Sequence, residues 1–72
     1  MSIGQKIKMK RRELGFGQKE FAKKMGVPIS TFSYWERDLG EPTAFSLIVI
    51  GDALGVSVDW LLDRTDKQEV NK

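Results

Sequence analysis

Apolar residues recur along this chain in short blocks, each at helical spacing and each closed by a glycine or a polar turn. Ile3, Ile7 and Leu14 lie four and seven residues apart and share one helical face, while Lys6, Lys8, Lys10 and Arg12 mostly fall elsewhere. Gly15 suits the residue just past a helix end, so a first helix is expected over about residues 2–14. Gly17 is an acceptable N-cap for a second helix, Gln18 to Met25, marked by Phe21, Ala22 and Met25 and ended by Gly26. Pro28, whose missing N–H costs nothing in a first turn, starts a third helix that runs to about Arg37. Asp38-Leu39-Gly40-Glu41-Pro42 has loop composition. Thr43 then caps a strongly apolar helix, Ala44–Leu54, ended by Gly55. Ser57 caps a short last helix, Val58–Leu62, with Asp59 near its positive end. Residues 1–63 are expected to form an all-α, compact five-helix bundle, and residues 64–72 a polar, flexible tail.

The second and third helices form the most informative pair. Small Ala22 lies one turn before Gly26, which lets two helices cross closely and turn sharply, as in a helix-turn-helix. With Phe32 and Trp35 turned inward, Ser30 and Tyr34 point away at 100° per residue. Ser33 lies to one side, and Ile29 sits at the tip. In such a motif this outer face enters the DNA major groove. The fourth helix is harder to orient. Its inward set is expected to be Ala44, Leu47, Ile48, Ile50, Gly51 and Leu54, which leaves Phe45 and Val49 outward as a partner surface. A rotated helix would instead bury both in the core.

The chain has 72 residues and suits one domain. A domain of this size buries roughly 60% of its unfolded surface and draws only about 3–5 kcal/mol of stability from its core. It contains neither Cys nor His, so disulfides, thiolate zinc sites and the usual general bases are missing. No cofactor, metal or small-molecule ligand is expected, and an enzyme is disfavoured. No apolar run is long enough to span a bilayer, and Met1-Ser2-Ile3-Gly4 lacks the apolar core of a secretory signal, so a cytoplasmic location is expected. The net charge of +2 hides an asymmetry. Residues 1–37 hold nine Lys/Arg against three Glu, and residues 38–72 hold three against seven acidic residues. A basic half suggests a polyanionic partner.

Three segments at consistent spacing resemble the lambdoid phage repressor and Cro (Xre-type) helix-turn-helix family. They are QKEFAKKMGV from Gln18, the helix ending Trp35-Glu36-Arg37, and ALGVSVDWLL from Ala53. The likeness covers about residues 3–63. It implies a lambda-repressor-like fold and a dimeric regulator, most often a repressor, on a pseudo-palindromic double-stranded DNA operator. It implies base contacts from Ile29, Ser30, Ser33 and Tyr34, and a phosphate contact from Gln18. Lys19, Lys10, Arg12 and Thr43, ahead of the fourth helix, are further phosphate candidates. It also implies a buried ion pair between Arg11 and Glu36. The family's usual dimer contact matches Val58, Asp59 and Trp60, although Trp60 could equally close the core. The third helix departs from the common pattern, because no Arg, Lys, Asn or Gln stands between Ile29 and Tyr34. Strong bidentate base contacts are therefore missing, which keeps open a second class, a protein-interaction module of the same fold (antitoxin-like or an anti-repressor adaptor). The polar tail fits either a free terminus or the start of a linker.

Overall fold

The computed structural model describes residues 1–69; positions 70–72 of the expected tail lie outside the described residues. Five helices follow one another with no strand among the described residues: α1 (Ile3–Glu13), α2 (Gln18–Met25), α3 (Ile29–Glu36), α4 (Ala44–Leu54) and α5 (Val58–Leu61). No helix among these is long and apolar enough to cross a membrane.

Local chemistry sets the boundaries. Ser2 caps α1 in a reciprocal box: the Gln5 amide N–H donates to Ser2 Oγ at 3.0 Å, and the Ser2 N–H donates to Gln5 Oε1 at 2.9 Å. The α1 end corrects one expectation. Leu14 shares the stripe of Ile3 and Ile7, yet it is exposed, because the chain leaves the helix at Gly15 with φ 82°. Phe16 takes the inward place instead. Its N–H donates to the Arg11 carbonyl at 3.1 Å, and its ring meets Phe21 edge-on at 5.5 Å. Gly26 ends α2 at φ 74°, and the Val27 N–H closes onto the Ala22 carbonyl at 3.0 Å. Pro28 is the N-cap of α3 rather than its first helical residue.

The core gathers Ile7, Phe21, Ala22, Phe32 and Trp35 from the first three helices. Leu47, Ile50 and Leu54 come from α4, and Val56, Trp60 and Leu61 from its C-terminal side. An aromatic series, Phe16–Phe21–Phe32–Trp35, links the approach to α2 with α3 at centroid distances of 5.5, 5.5 and 6.4 Å. Burying these rings favours the packing of α2 on α3.

Two surfaces differ from expectation. On α4, Leu47, Ile50, Gly51 and Leu54 are buried, but Ala44 and Ile48 are exposed. Phe45 is exposed as expected, while Val49 is half-buried. Gly51 faces inward as expected, and a Cβ there would lie 3.0 Å from the Val56 carbonyl oxygen. On α1, Lys6 is buried instead of solvated. Its ammonium donates to the Trp60 carbonyl at 2.5 Å and to Asp63 Oδ1 at 3.3 Å, and lies 4.9 Å from the Trp60 ring centre. Past α5, the Ser57 N–H donates to the Gln68 carbonyl at 2.8 Å, so the chain doubles back over the start of that helix.

Candidate nucleic-acid interface

The α2–turn–α3 unit divides α3 into two sides. Phe32, Trp35 and Glu36 are buried. Ile29, Ser30 and Tyr34 are exposed, and Ser33 is half-buried. The four candidate base-contacting residues thus share the outer side of a helix whose inner side is locked by aromatic packing.

Glu36 anchors this arrangement. Its carboxylate meets Arg11 through two parallel hydrogen bonds, Nε to Oε2 at 2.7 Å and Nη2 to Oε1 at 3.0 Å, and both side chains are almost wholly buried. A planar guanidinium matches a carboxylate in this two-point geometry. The remaining Arg11 Nη1 donates to the Phe16 carbonyl at 2.8 Å. Gln18 Nε2 also donates to Glu36 Oε1, at 3.0 Å. Its amide therefore keeps a second N–H for an outside acceptor. One buried carboxylate thus fixes α1, the start of α2 and the end of α3 together.

The start of α2 is open to an anion. Gly17 has no side chain to cap it, and only Glu20 reaches back, accepting from the Gly17 N–H at 3.4 Å. Lys19 is exposed beside it. Free N–H groups and the positive end of the helix favour a phosphate oxygen there. Thr43 has a different place. Its hydroxyl accepts from the Ser46 N–H at 3.1 Å and donates to Ser46 Oγ at 3.0 Å, so it acts as the cap of α4. Lys10 pairs with Glu13 at 2.9 Å and donates to Gln68 at 3.1 Å. Arg12 lines a shallow groove with Gln5, Lys8, Met9 and Glu13. The surroundings of these two cations are the outer face of α1 and the C-terminal segment, not α3.

At the other candidate surface, Asp59 is exposed, 3.9 Å from Arg64, and Val58 is half-buried. Trp60 belongs to the core, with its backbone carbonyl engaged by Lys6. Among the described residues no cluster of His, Cys, Asp or Glu is assembled for a metal ion.

Sequence reasoning identified the loop after α3 but missed its contacts to α1 and Tyr34. Asp38 adopts φ 57°, a left-handed conformation that Asp tolerates better than most side chains. Its carboxylate accepts from Ser2 Oγ at 2.5 Å and from the Gly4 N–H at 2.9 Å, tying α1's first turn to α3's last. Gly4 permits this approach, since a Cβ there would lie 2.5 Å from the Trp35 carbonyl oxygen and 2.6 Å from that of Glu36. The reversal carries Gly40 against the Tyr34 ring. An Asp directly after a helix, two residues before Gly, is the one available signal.

Comparison with known proteins agrees with this geometry. The helix-turn-helix (HTH_3) family matches residues 7–61. The HTH-type transcriptional regulator ImmR of Bacillus subtilis strain 168 is 32% identical over 72 residues, 100% of this chain and 57% of that regulator. The chain therefore spans little more than half the length of that relative. Among solved structures, the c2 repressor of Salmonella phage P22 in complex with a synthetic operator superposes with a TM-score of 0.80 at 33% identity, over 85% of this chain and 92% of the repressor chain. The Bacillus subtilis biofilm regulator SinR in complex with DNA superposes with a TM-score of 0.79 at 44% identity, over 85% of this chain and 98% of that one.

Proposed function

The chain belongs to the helix-turn-helix family, and from that premise we propose that it is a DNA-binding transcriptional regulator that inserts α3 into the major groove of an operator. The observation that carries this reading is the division of α3 into a locked inner side and an open outer side. Ile29 offers an apolar contact to a thymine methyl. Ser30 and Ser33 offer hydroxyls, directly or through water, and Tyr34 offers its hydroxyl to a base edge or phosphate. Gln18, its amide held by Glu36, and the open start of α2 with Lys19 take a phosphate. With no bidentate reader on α3, discrimination leans on methyl contacts, water and DNA deformability.

The regulator acts as a repressor, two copies occupying a pseudo-palindromic operator with half-sites about 34–36 Å apart and excluding polymerase. The junction of α4 and α5, with half-buried Val58 and exposed Asp59, is the surface for the second copy. A cytoplasmic location goes with this partner, and no catalytic step is needed. Selection from a random duplex pool followed by band shifts tests the proposal. The expected result is a palindromic consensus bound about a thousandfold or more tighter than random DNA at moderate salt. Binding no tighter than random DNA would sink it.

Phe45 and Ile48 favour a second reading. They lie one turn apart on α4 and are 75% and 52% exposed, a large apolar pair on a small surface. In that reading the fold serves as a protein-interaction module. Stoichiometric capture of a protein partner, lost in Phe45→Glu and kept in Ser30→Ala, would favour it over DNA binding.

A further inference from the structure

We propose that Gly40 is a positioning residue for recognition: it forms the seat that holds the Tyr34 ring at the edge of the reading face, and so sets which sequences the protein prefers. This rests on the DNA-binding role proposed for α3 and goes beyond it to a residue outside the motif.

Gly40 is not glycine for the sake of its backbone. The glycines with left-handed φ are Gly15, Gly26 and Gly55, and Gly40 is not among them. What it supplies is room. The three atoms nearest a Cβ at this position all belong to Tyr34, namely Cε1, Cζ at 2.8 Å and the hydroxyl oxygen at 2.9 Å. Real Cβ atoms essentially never approach other atoms this closely, so any side chain at position 40 must displace the Tyr34 ring.

The seat is held from behind. The Leu39 N–H donates to the Tyr34 carbonyl at 3.1 Å and the Asp38 N–H to the Trp35 carbonyl at 3.0 Å, which wraps the loop back over the end of α3. Asp38 is in turn fixed by Ser2 and Gly4 at the start of α1. Gly40 therefore rests on two helices. Tyr34 needs such support, because an unsupported exposed tyrosine exchanges rotamers and loses entropy on binding. It is also the one large side chain with a hydrogen-bonding tip among Ile29, Ser30, Ser33 and Tyr34. Holding its ring against Gly40 leaves 46% of the residue exposed and limits where the hydroxyl can point.

The test is a double-mutant cycle on the full chain, with random-duplex selection, affinity and thermal unfolding measured for each protein. Gly40→Ala is expected to weaken binding to the wild-type consensus at least tenfold and to change the selected bases at the Tyr34 end of each half-site, with little change in thermal midpoint. In the Tyr34→Ala background the same substitution should change affinity less than twofold, because nothing remains for the Cβ to strike. Tyr34→Phe keeps the ring and should restore the sensitivity. Equal losses from Gly40→Ala in both backgrounds, or no loss in either, would overturn the proposal while leaving DNA binding intact. Failure of the wild-type protein to select any consensus would instead remove the DNA-binding role itself, and this inference with it.

Discussion

Two cations on α1 are buried, and they are held in opposite ways. Arg11 meets a carboxylate that is itself buried, through two parallel hydrogen bonds, and places its third on the Phe16 carbonyl. Lys6 meets the Trp60 backbone carbonyl and Asp63, whose side chain is 81% exposed. The first is a closed unit: neither charge can return to water unless the helices part. The second is a side chain as deeply buried, with its ammonium held by a carbonyl at a helix end and its acidic partner in solvent. Burial alone thus says little about the cost of losing a charge, and the fate of the partner left behind decides it.

Substitutions can break or sharpen this contrast. Arg11→Ala strands Glu36 and should cost about 3–5 kcal/mol, as much as a core of this size supplies, leaving the protein largely unfolded at 25 °C by circular dichroism. Lys8→Ala, at an exposed position, is the control, and equal small shifts for both would refute a structural role for the pair. Arg11→Lys keeps the charge and loses the two-point geometry. A loss of about 1–3 kcal/mol in urea titration is expected, and no loss would mean that charge alone suffices. Lys6→Met keeps the buried stem and removes the donor to Trp60, for which about 1–1.5 kcal/mol is expected. A loss matching that of Arg11→Ala would erase the distinction between the two sites. Asp63→Asn, at a left-handed position that Asn tolerates, should cost less than about 0.5 kcal/mol after solvent screening, and less still at high salt.

The same two residues show how much of the molecule was legible in the sequence. Arg11 and Glu36 both have charged side chains, and the likeness to phage repressors pointed to the pair. Lys6 answers to a backbone carbonyl, which every residue carries, so nothing in the sequence marks its partner. The outer face of α3 was legible because only Phe32 and Trp35 are large and apolar on its inner side, and 100° per residue then places the rest. Helix α4 was less so, since apolar residues occupy nearly all its positions and periodicity cannot select a face. Ile48 was expected inside and is exposed, while Gly51, expected on the same face, is buried. Trp60 was open between core and interface until α5 was placed against α1 and α4. The Gly40–Tyr34 contact depends on the left-handed turn at Asp38, and turns of this kind leave only a faint compositional trace.

The two tryptophans described above share one core but have different neighbours. Trp35 stands edge-on to Phe32 within the aromatic series of α2 and α3, while Trp60 lies beneath the Lys6 ammonium at the end of α5. Each is therefore an intrinsic optical reporter of a different portion of the chain. Variants with Trp60→Phe or Trp35→Phe would isolate one emission signal at a time. Coincident denaturation curves would show that the α2–α3 unit and the α4–α5 corner melt as one cooperative unit, and separated curves would show that the two portions have independent stabilities.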